Sequence, residues 1–198
     1  MIHHSHPFPT PDDAARRFRG RLGGAVSLWT TGNSDERAGL TVSSLMVAGG
    51  EPGRVLALLD PDADLTVGLL AHGKAVVQLL RWRHRDLADA FAGVVPAPGG
   101  PWRLAHWQES SHGPLLADAL ASVKVSLQTN NPVGFSILVT CAIDEVTLGE
   151  ESGALLHRRG RRVAHLGHRP AHRLAQPERL EGLHFTHGEF PGLPSARP

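Results

Sequence analysis

The sequence predicts a mainly β chain, folded as a closed antiparallel barrel with short decorating helices. Three observations lead there. Short segments rich in Val, Leu, Ile and Thr recur along the chain, about seven or eight in all. Most are separated by turn-forming Gly, Pro, Asn and Asp clusters rather than by long crossovers. Helical signals are confined to about two or three short stretches, inserted between β segments rather than alternating with them.

Taken in order, residues 1–11 carry His3, His4 and His6 among prolines. Three close histidines suit a transition metal, but no Cys or acid stands nearby to complete a ligand set. A flexible tail is the expectation. Thr10-Pro11-Asp12-Asp13 supplies a hydroxyl cap, a first-turn proline and two acids facing the helix dipole. The helix it starts should run Asp12–Leu22 and stop at Gly23-Gly24. Ala25–Thr31 reads as a strand, turned by Gly32-Asn33-Ser34-Asp35 into a second strand over Ala38–Leu45. A Gly/Pro loop then leads to Arg54–Leu59, whose near-continuous apolar run suits a strand covered on both faces. Asp60-Pro61-Asp62-Ala63-Asp64 breaks it, with Asp62 or Asp64 able to cap a helix reaching about His72 and ended by Gly73. Ala75–Leu80 is the next strand and His84–Ala92 a short helix ended by Gly93. After the Pro/Gly loop Val94–Pro101, strands are expected at Trp102–Trp107, Ala121–Gln128, Phe135–Ala142 and Asp144–Leu148. Asn130-Asn131-Pro132 should turn the second of these into the third. Leu155–His157 and Arg161–Leu166 frame a turn at Gly160. The domain is thus expected over residues 12–166. Residues 167–198, rich in His, Pro, Arg and Gly, form an extension.

The stretch with the most chemistry in it is Ala38–Leu45, which presents Thr41, Ser43 and Ser44 where its strand should end. Small hydroxyls beside exposed backbone N–H groups cradle a phosphate without burying a net charge. The same residues also form Ser/Thr turns on their own backbone, so the motif alone leaves both readings open.

Composition narrows the class. A chain of 198 residues holds one domain with a sizeable core. Twenty Lys and Arg against 19 Asp and Glu leave a net charge of +1, so no global field calls for nucleic acid or an anionic membrane. No apolar run is long enough to span a bilayer, and the N-terminus lacks the basic start and apolar core of a signal peptide. The single cysteine, Cys141, excludes an internal disulfide and lies in an apolar stretch suited to buried filler. A soluble cytoplasmic protein is expected. His72, His84, His106 and His112 have no ligand spacing, so no metal is assigned.

Order and spacing then bring a family into view. Gly39–Ser44 reads GLTVSS; Glu51-Pro52, Val55–Leu59 and Asp60 follow; then Leu65–Gly73, Lys74–Leu80 and Leu87–Gly93 fall into register without a gap. Gly113-Pro114-Leu115-Leu116 and the hairpin ending in His157-Arg158-Arg159-Gly160-Arg161 come in the same order. In these features the chain resembles the flavin reductase-like family of FMN-binding split barrels, over about residues 16–162.

The resemblance implies a homodimer with FMN, or FAD, at its interface. Thr41, Val42, Ser43 and Ser44 would hold phosphate and ribityl, and Leu59, Asp60 and Gln78 would lie near the ring. Arg158 and Arg161 would add positive charge, if they are not simply a solvated basic hairpin. NADH or NADPH would pass a hydride to the flavin, and a monooxygenase component would be a possible acceptor. The cofactor carries the redox chemistry, so no catalytic acid–base pair is assigned. Three positions depart from the family pattern: Ala63 where many relatives have serine, Gln78 where they often have asparagine, and Val133-Gly134-Phe135 where a Gly-Asp-His is frequent. The resemblance associates that histidine with the nicotinamide side. An alternative expectation is therefore a flavin- or other ligand-binding module without reductase turnover; a third is a dimeric scaffold that has lost flavin and binds haem or metal through its histidines.

Overall fold

The computed structural model describes residues 14–19, 21–149, 153–158 and 161–165, and every structural statement below concerns these. They lie within one compact unit, Met1–Gly167. The strands are β1 (Gly24–Ala25), β2 (Ser27–Thr31), β3 (Ala38–Val42), β4 (Leu45–Ala48), β5 (Arg54–Leu59), β6 (Lys74–Leu79), β7 (Trp107–Gln108), β8 (Leu115–Leu116), β9 (Ala121–Val133), β10 (Ser136–Leu148), β11 (Ala154–Arg158) and β12 (Arg161–His165). The helices are α1 (Ala14–Arg19), α2 (Asp64–His72) and α3 (Arg85–Phe91).

Seven strands form one antiparallel sheet in the order β3-β2-β6-β9-β10-β5-β4. Its two edge strands, β3 and β4, are consecutive in the chain and joined only by Ser43 and Ser44. Laid flat, six strand spacings would separate those edges by roughly 29 Å. The step from Val42 to Leu45 reaches ~10 Å at most. The sheet must therefore curl until its edges nearly meet, which is a split barrel. Barrel-facing residues alternate along the strands, with Val55, Ala57 and Leu59 of β5 opposite Val139 and Cys141 of β10, and Leu65 and Leu69 of α2 closing the interior. A second core lies outside the barrel, where Leu87, Ala88 and Phe91 of α3 cover Val26 and Leu28. A second sheet, β1-β11-β12, flanks the start of β2.

Several expected elements changed. The strand expected over Ala38–Leu45 breaks after Val42, and a new edge strand starts at Leu45. Asp62 and Asp64 do not cap α2: its N-cap is Ala63, which has no side-chain bond, while the Thr66 hydroxyl donates to the Asp60 carbonyl at 2.7 Å. The stop at Gly73 is as expected, with φ of 68° in the left-handed region. A 3-10 turn, Trp82–His84, precedes α3. Trp102–Trp107 is not a strand; Pro101 starts a 3-10 turn over Pro101–Leu104, and only Trp107–Gln108 pairs, with β8.

Asn130-Asn131-Pro132 does not turn. β9 runs straight through these residues, and the reversal comes at Gly134-Phe135, where Gly134 has φ of 59°. Pairing with β6 ends at Ser126, so Pro132 lies on an open edge where its missing N–H removes no ladder bond. The strands expected at Phe135–Ala142 and Asp144–Leu148 are one, β10, with a register shift between Ile143 and Glu145. Helix Asp12–Leu22 is described only as α1. The tail 1–11, the turn at Gly160 and the extension 167–198 lie outside the described residues.

Candidate functional site

The three hydroxyls of the GLTVSS stretch have three different jobs. Thr41 faces α3, and its hydroxyl donates to the Ala88 carbonyl at 2.7 Å. Ser44 faces β5, donating from its hydroxyl to the Leu58 carbonyl at 2.7 Å while its own carbonyl accepts from the Leu58 N–H at 3.3 Å. Ser43, between them, is exposed, and no hydrogen bond engages its hydroxyl among the described residues. Thr41 and Ser44 thus staple the seam of the barrel from both sides, and Ser43 is left facing solvent. Val42 is buried in the barrel; its carbonyl accepts from the buried Ser27 hydroxyl at 2.7 Å. Gly39, the first residue of the stretch, is needed for packing: a Cβ there would stand 2.7 Å from Cε1 of Phe91.

The fold brings part of the expected site to this seam. Gly24 lies against the Ser43 carbonyl, close enough that a Cβ on it would stand 3.4 Å away. Gly24 also pairs with His157 of β11, so the strand carrying Arg158 runs beside the Ser43 break. Arg158 and Arg161 stand opposite one another across the β11–β12 hairpin. From the other side, Leu58 holds Ser44 and leads into Leu59 and Asp60. Leu59 is inside the barrel core. The Asp60 carboxylate accepts from the Asp62 N–H at 3.0 Å and its carbonyl from the Ala63 N–H at 3.2 Å, so it organises the entry to α2.

Gln78 is placed otherwise. It is fully buried on the face of β6 away from the barrel core. Its amide nitrogen donates to the Thr30 hydroxyl at 3.1 Å and the Pro114 carbonyl at 3.4 Å, and its oxygen accepts from the Leu116 N–H. All its polar atoms are engaged in holding the loop at Gly113–Leu116 on the barrel wall.

Two networks join residues that no spacing in the sequence connects. His112 contacts Ser111 Oγ through Nδ1 and Asp144 Oδ2 through Nε2, both at 2.9 Å, and the Ser126 hydroxyl donates to the same carboxylate at 2.6 Å. Buried His84 and exposed Arg83 both meet Asp118 Oδ2, at 3.1 and 2.6 Å. Burial pushes the Asp118 carboxyl up, but hydrogen bonds and charge from His84 and Arg83 outweigh it and hold the group below its ordinary value. The Cys141 thiol is pushed up to about 12, by burial first and then by Asp144, so it is no nucleophile near neutral pH. Among the described residues no group of three His, Cys, Asp or Glu is arranged to hold a metal ion.

The sequence profile of the flavin reductase like domain matches residues 19–165. The chain belongs to the flavin reductase-like family. A relative in Methylorubrum extorquens, FMN reductase (NADH) RutF 2, is 31% identical over 154 residues, which cover 76% of this chain and 86% of the relative. The reductase component of 4-hydroxyphenylacetate 3-monooxygenase from Pseudomonas aeruginosa is 23% identical over 146 residues, covering 73% and 86%. Among solved structures, Streptomyces globisporus C-1027 NADH:FAD oxidoreductase SgcE6 in complex with NAD and FAD fragments superposes with a TM-score of 0.70 at 23% identity, over 78% of this chain and 93% of that one. The fold is shared with that solved oxidoreductase. Within this flavin reductase-like chain two of the three departures fall at exposed or half-exposed places, Ala63 at the start of α2 and Val133-Gly134-Phe135 at the tip of the β9–β10 hairpin, with Phe135 66% exposed, while the third, Gln78, is buried.

Proposed function

We propose that this chain is an NAD(P)H-dependent flavin oxidoreductase, taking FMN or FAD and drawing hydride from NADH or NADPH. The observation that carries the reading is the seam: an exposed Ser43 hydroxyl at a break between two edge strands, in a chain whose relatives are named FMN reductases. A flavin phosphate is a dianion and needs several donors. Ser43 offers its O–H beside the backbone of the break, and Val42, being buried, contributes through its backbone alone. Arg158 and Arg161, by their register in the hairpin beside Gly24, supply positive charge at the same end. Thr41 and Ser44 keep the break open in one shape, and Leu59 and Asp60 wall the neighbouring end of β5. Gln78 acts at a distance, by fixing the Gly113–Leu116 loop. Bound flavin supplies the hydride-accepting ring, and the protein's task is to orient that ring and shield it from water.

The working unit in this reading is a homodimer. α3 covers the outer face of β2 and β3, while among the described residues no helix covers that of β4, β5 and β10. There Met46 is 62% exposed and Leu58 40%. An apolar sheet face of this kind marks an interface, and a flavin bound at the adjacent seam would be closed over by the second copy. A monooxygenase component is the proposed acceptor of the reduced flavin, in line with the relative named as such a reductase component. Among the described residues no helix is long and apolar enough to cross a membrane, and a cytoplasmic location is proposed.

Anaerobic mixing of the FMN-loaded protein with NADH or NADPH tests the reading. Loss of the yellow flavin absorbance is expected with at least one of them; persistence with both would leave a binding module. Ser43→Ala is expected to weaken FMN binding about tenfold to a hundredfold, the effect of one hydrogen bond to a charged group.

A further inference from the structure

A second feature runs along β11 and is not used by the reading above. β6 is followed, after Leu80, by Arg81-Trp82-Arg83-His84-Arg85, a segment with three arginines and no acid, in a chain of net charge +1. Its start is fastened to β11: Arg81 bridges Ala154, and the Trp82 N–H donates to the Gly153 carbonyl at 2.6 Å. Three residues further along β11, His157 pairs with Gly24, which lies against Ser43. β11 therefore separates the Trp82 turn from the Ser43 break by ~10 Å, three residues of strand. Beyond His157, the paired ends of β11 and β12 carry Arg158, Arg161 and Arg162, again with no acid among them.

At the other end of β11, where Arg81 bridges Ala154, stands an indole. Trp82 is 37% exposed, and the Arg85 guanidinium lies 5.3 Å from its ring centroid. Arg83 and Arg85 are paired with Asp118 and Asp86, but these side chains are about half exposed or more, and such pairs hold weakly enough to be exchanged for a phosphate. A half-open aromatic face with a planar cation beside it is suited to stack a purine base. Arg83 and Arg85 beside it suit a pyrophosphate.

We propose that the Trp82–Arg85 turn is an adenylate subsite, receiving the AMP half of a dinucleotide whose other half reaches the Ser43 seam. The inference rests on the flavin reading and extends it to the substrate class. Two molecules carry that half, FAD and NADH, and the proposal covers either. Adenine stacks on Trp82, Arg85 closes over it, Arg83 meets the phosphates, and the rest of the molecule runs along β11 toward Ser43.

Binding of FMN, FAD and ADP-ribose to the wild type, Trp82→Ala and Arg85→Glu, together with the KM for NADH, tests it. Arg85 lies on the surface, so its variant keeps the test valid should Trp82→Ala fold poorly. If FAD is the source, both variants weaken FAD about tenfold, the scale of a lost stacking and charge contact, and leave FMN unchanged. If NADH is the source, FAD and FMN are unaffected, the KM for NADH rises with kcat held, and ADP-ribose binding falls. Equal behaviour of wild type and variants toward FAD, NADH and ADP-ribose, with FMN still bound, overturns the subsite alone. Failure of the wild type to bind FMN or FAD overturns the flavin reading beneath it.

Discussion

A glutamine with no solvent exposure and every polar atom bonded shows how far a residue's job can differ from its address in a motif. Gln78 bonds Thr30, Pro114 and Leu116, residues on two different segments. Gln78→Leu removes these bonds and leaves the Leu116 N–H without its acceptor in a buried place, while the Thr30 hydroxyl keeps its bond to the Pro114 carbonyl. A loss of about 2–4 kcal/mol is expected, read by chemical denaturation. Flavin affinity should fall less than for Ser43→Ala if Gln78 acts only through the loop. Cys141 was legible as buried filler because its neighbours are apolar, and burial also raises its thiol. That Ser43 alone among the three hydroxyls would face solvent was not legible. Strand alternation sets sides, but which side is covered depends on α3 and β5, remote in sequence.

At the scale of elements, the 3-10 turn and α3 are pinned to the loop after β8 by Asp118, which both Arg83 and His84 contact. The Asp118 carboxyl is held below its ordinary 3.8, so its contribution is fully present above that value and disappears as pH falls through the lower folded-state value. Asp118→Asn should therefore lower stability at neutral pH, by under about 1 kcal/mol because the side chain is half exposed. The gap from wild type should close in strongly acidic solution. Thermal denaturation across a pH series reads both. Hairpin β9–β10 gives the clearest lesson on elements. Asn130-Asn131-Pro132 has turn chemistry, but an open edge tolerates all three residues, and only Gly134 combines position with the left-handed backbone that the reversal uses.

For the whole molecule, the curl of the sheet leaves one outer face under α3 and another bare of helix among the described residues. Met46→Glu with Leu58→Glu would place charges on that second face. Wild type is expected to sediment as a dimer and the double variant as a monomer, with flavin affinity falling alongside if the cofactor sits where two copies meet. A monomeric wild type would overturn the dimer.

By itself the sequence determined the mainly β class, most strand positions, the stop of α2 and the family, because alternation, glycine stereochemistry and motif order are local properties. It also placed the hydroxyl stretch at a strand end. Only the tertiary structure decided that this end is the seam between the two edges of the sheet, that Ser43 is its open hydroxyl, and that β11 runs from there to Trp82. These follow from chain closure and strand pairing, which join residues too far apart for any local pattern to record.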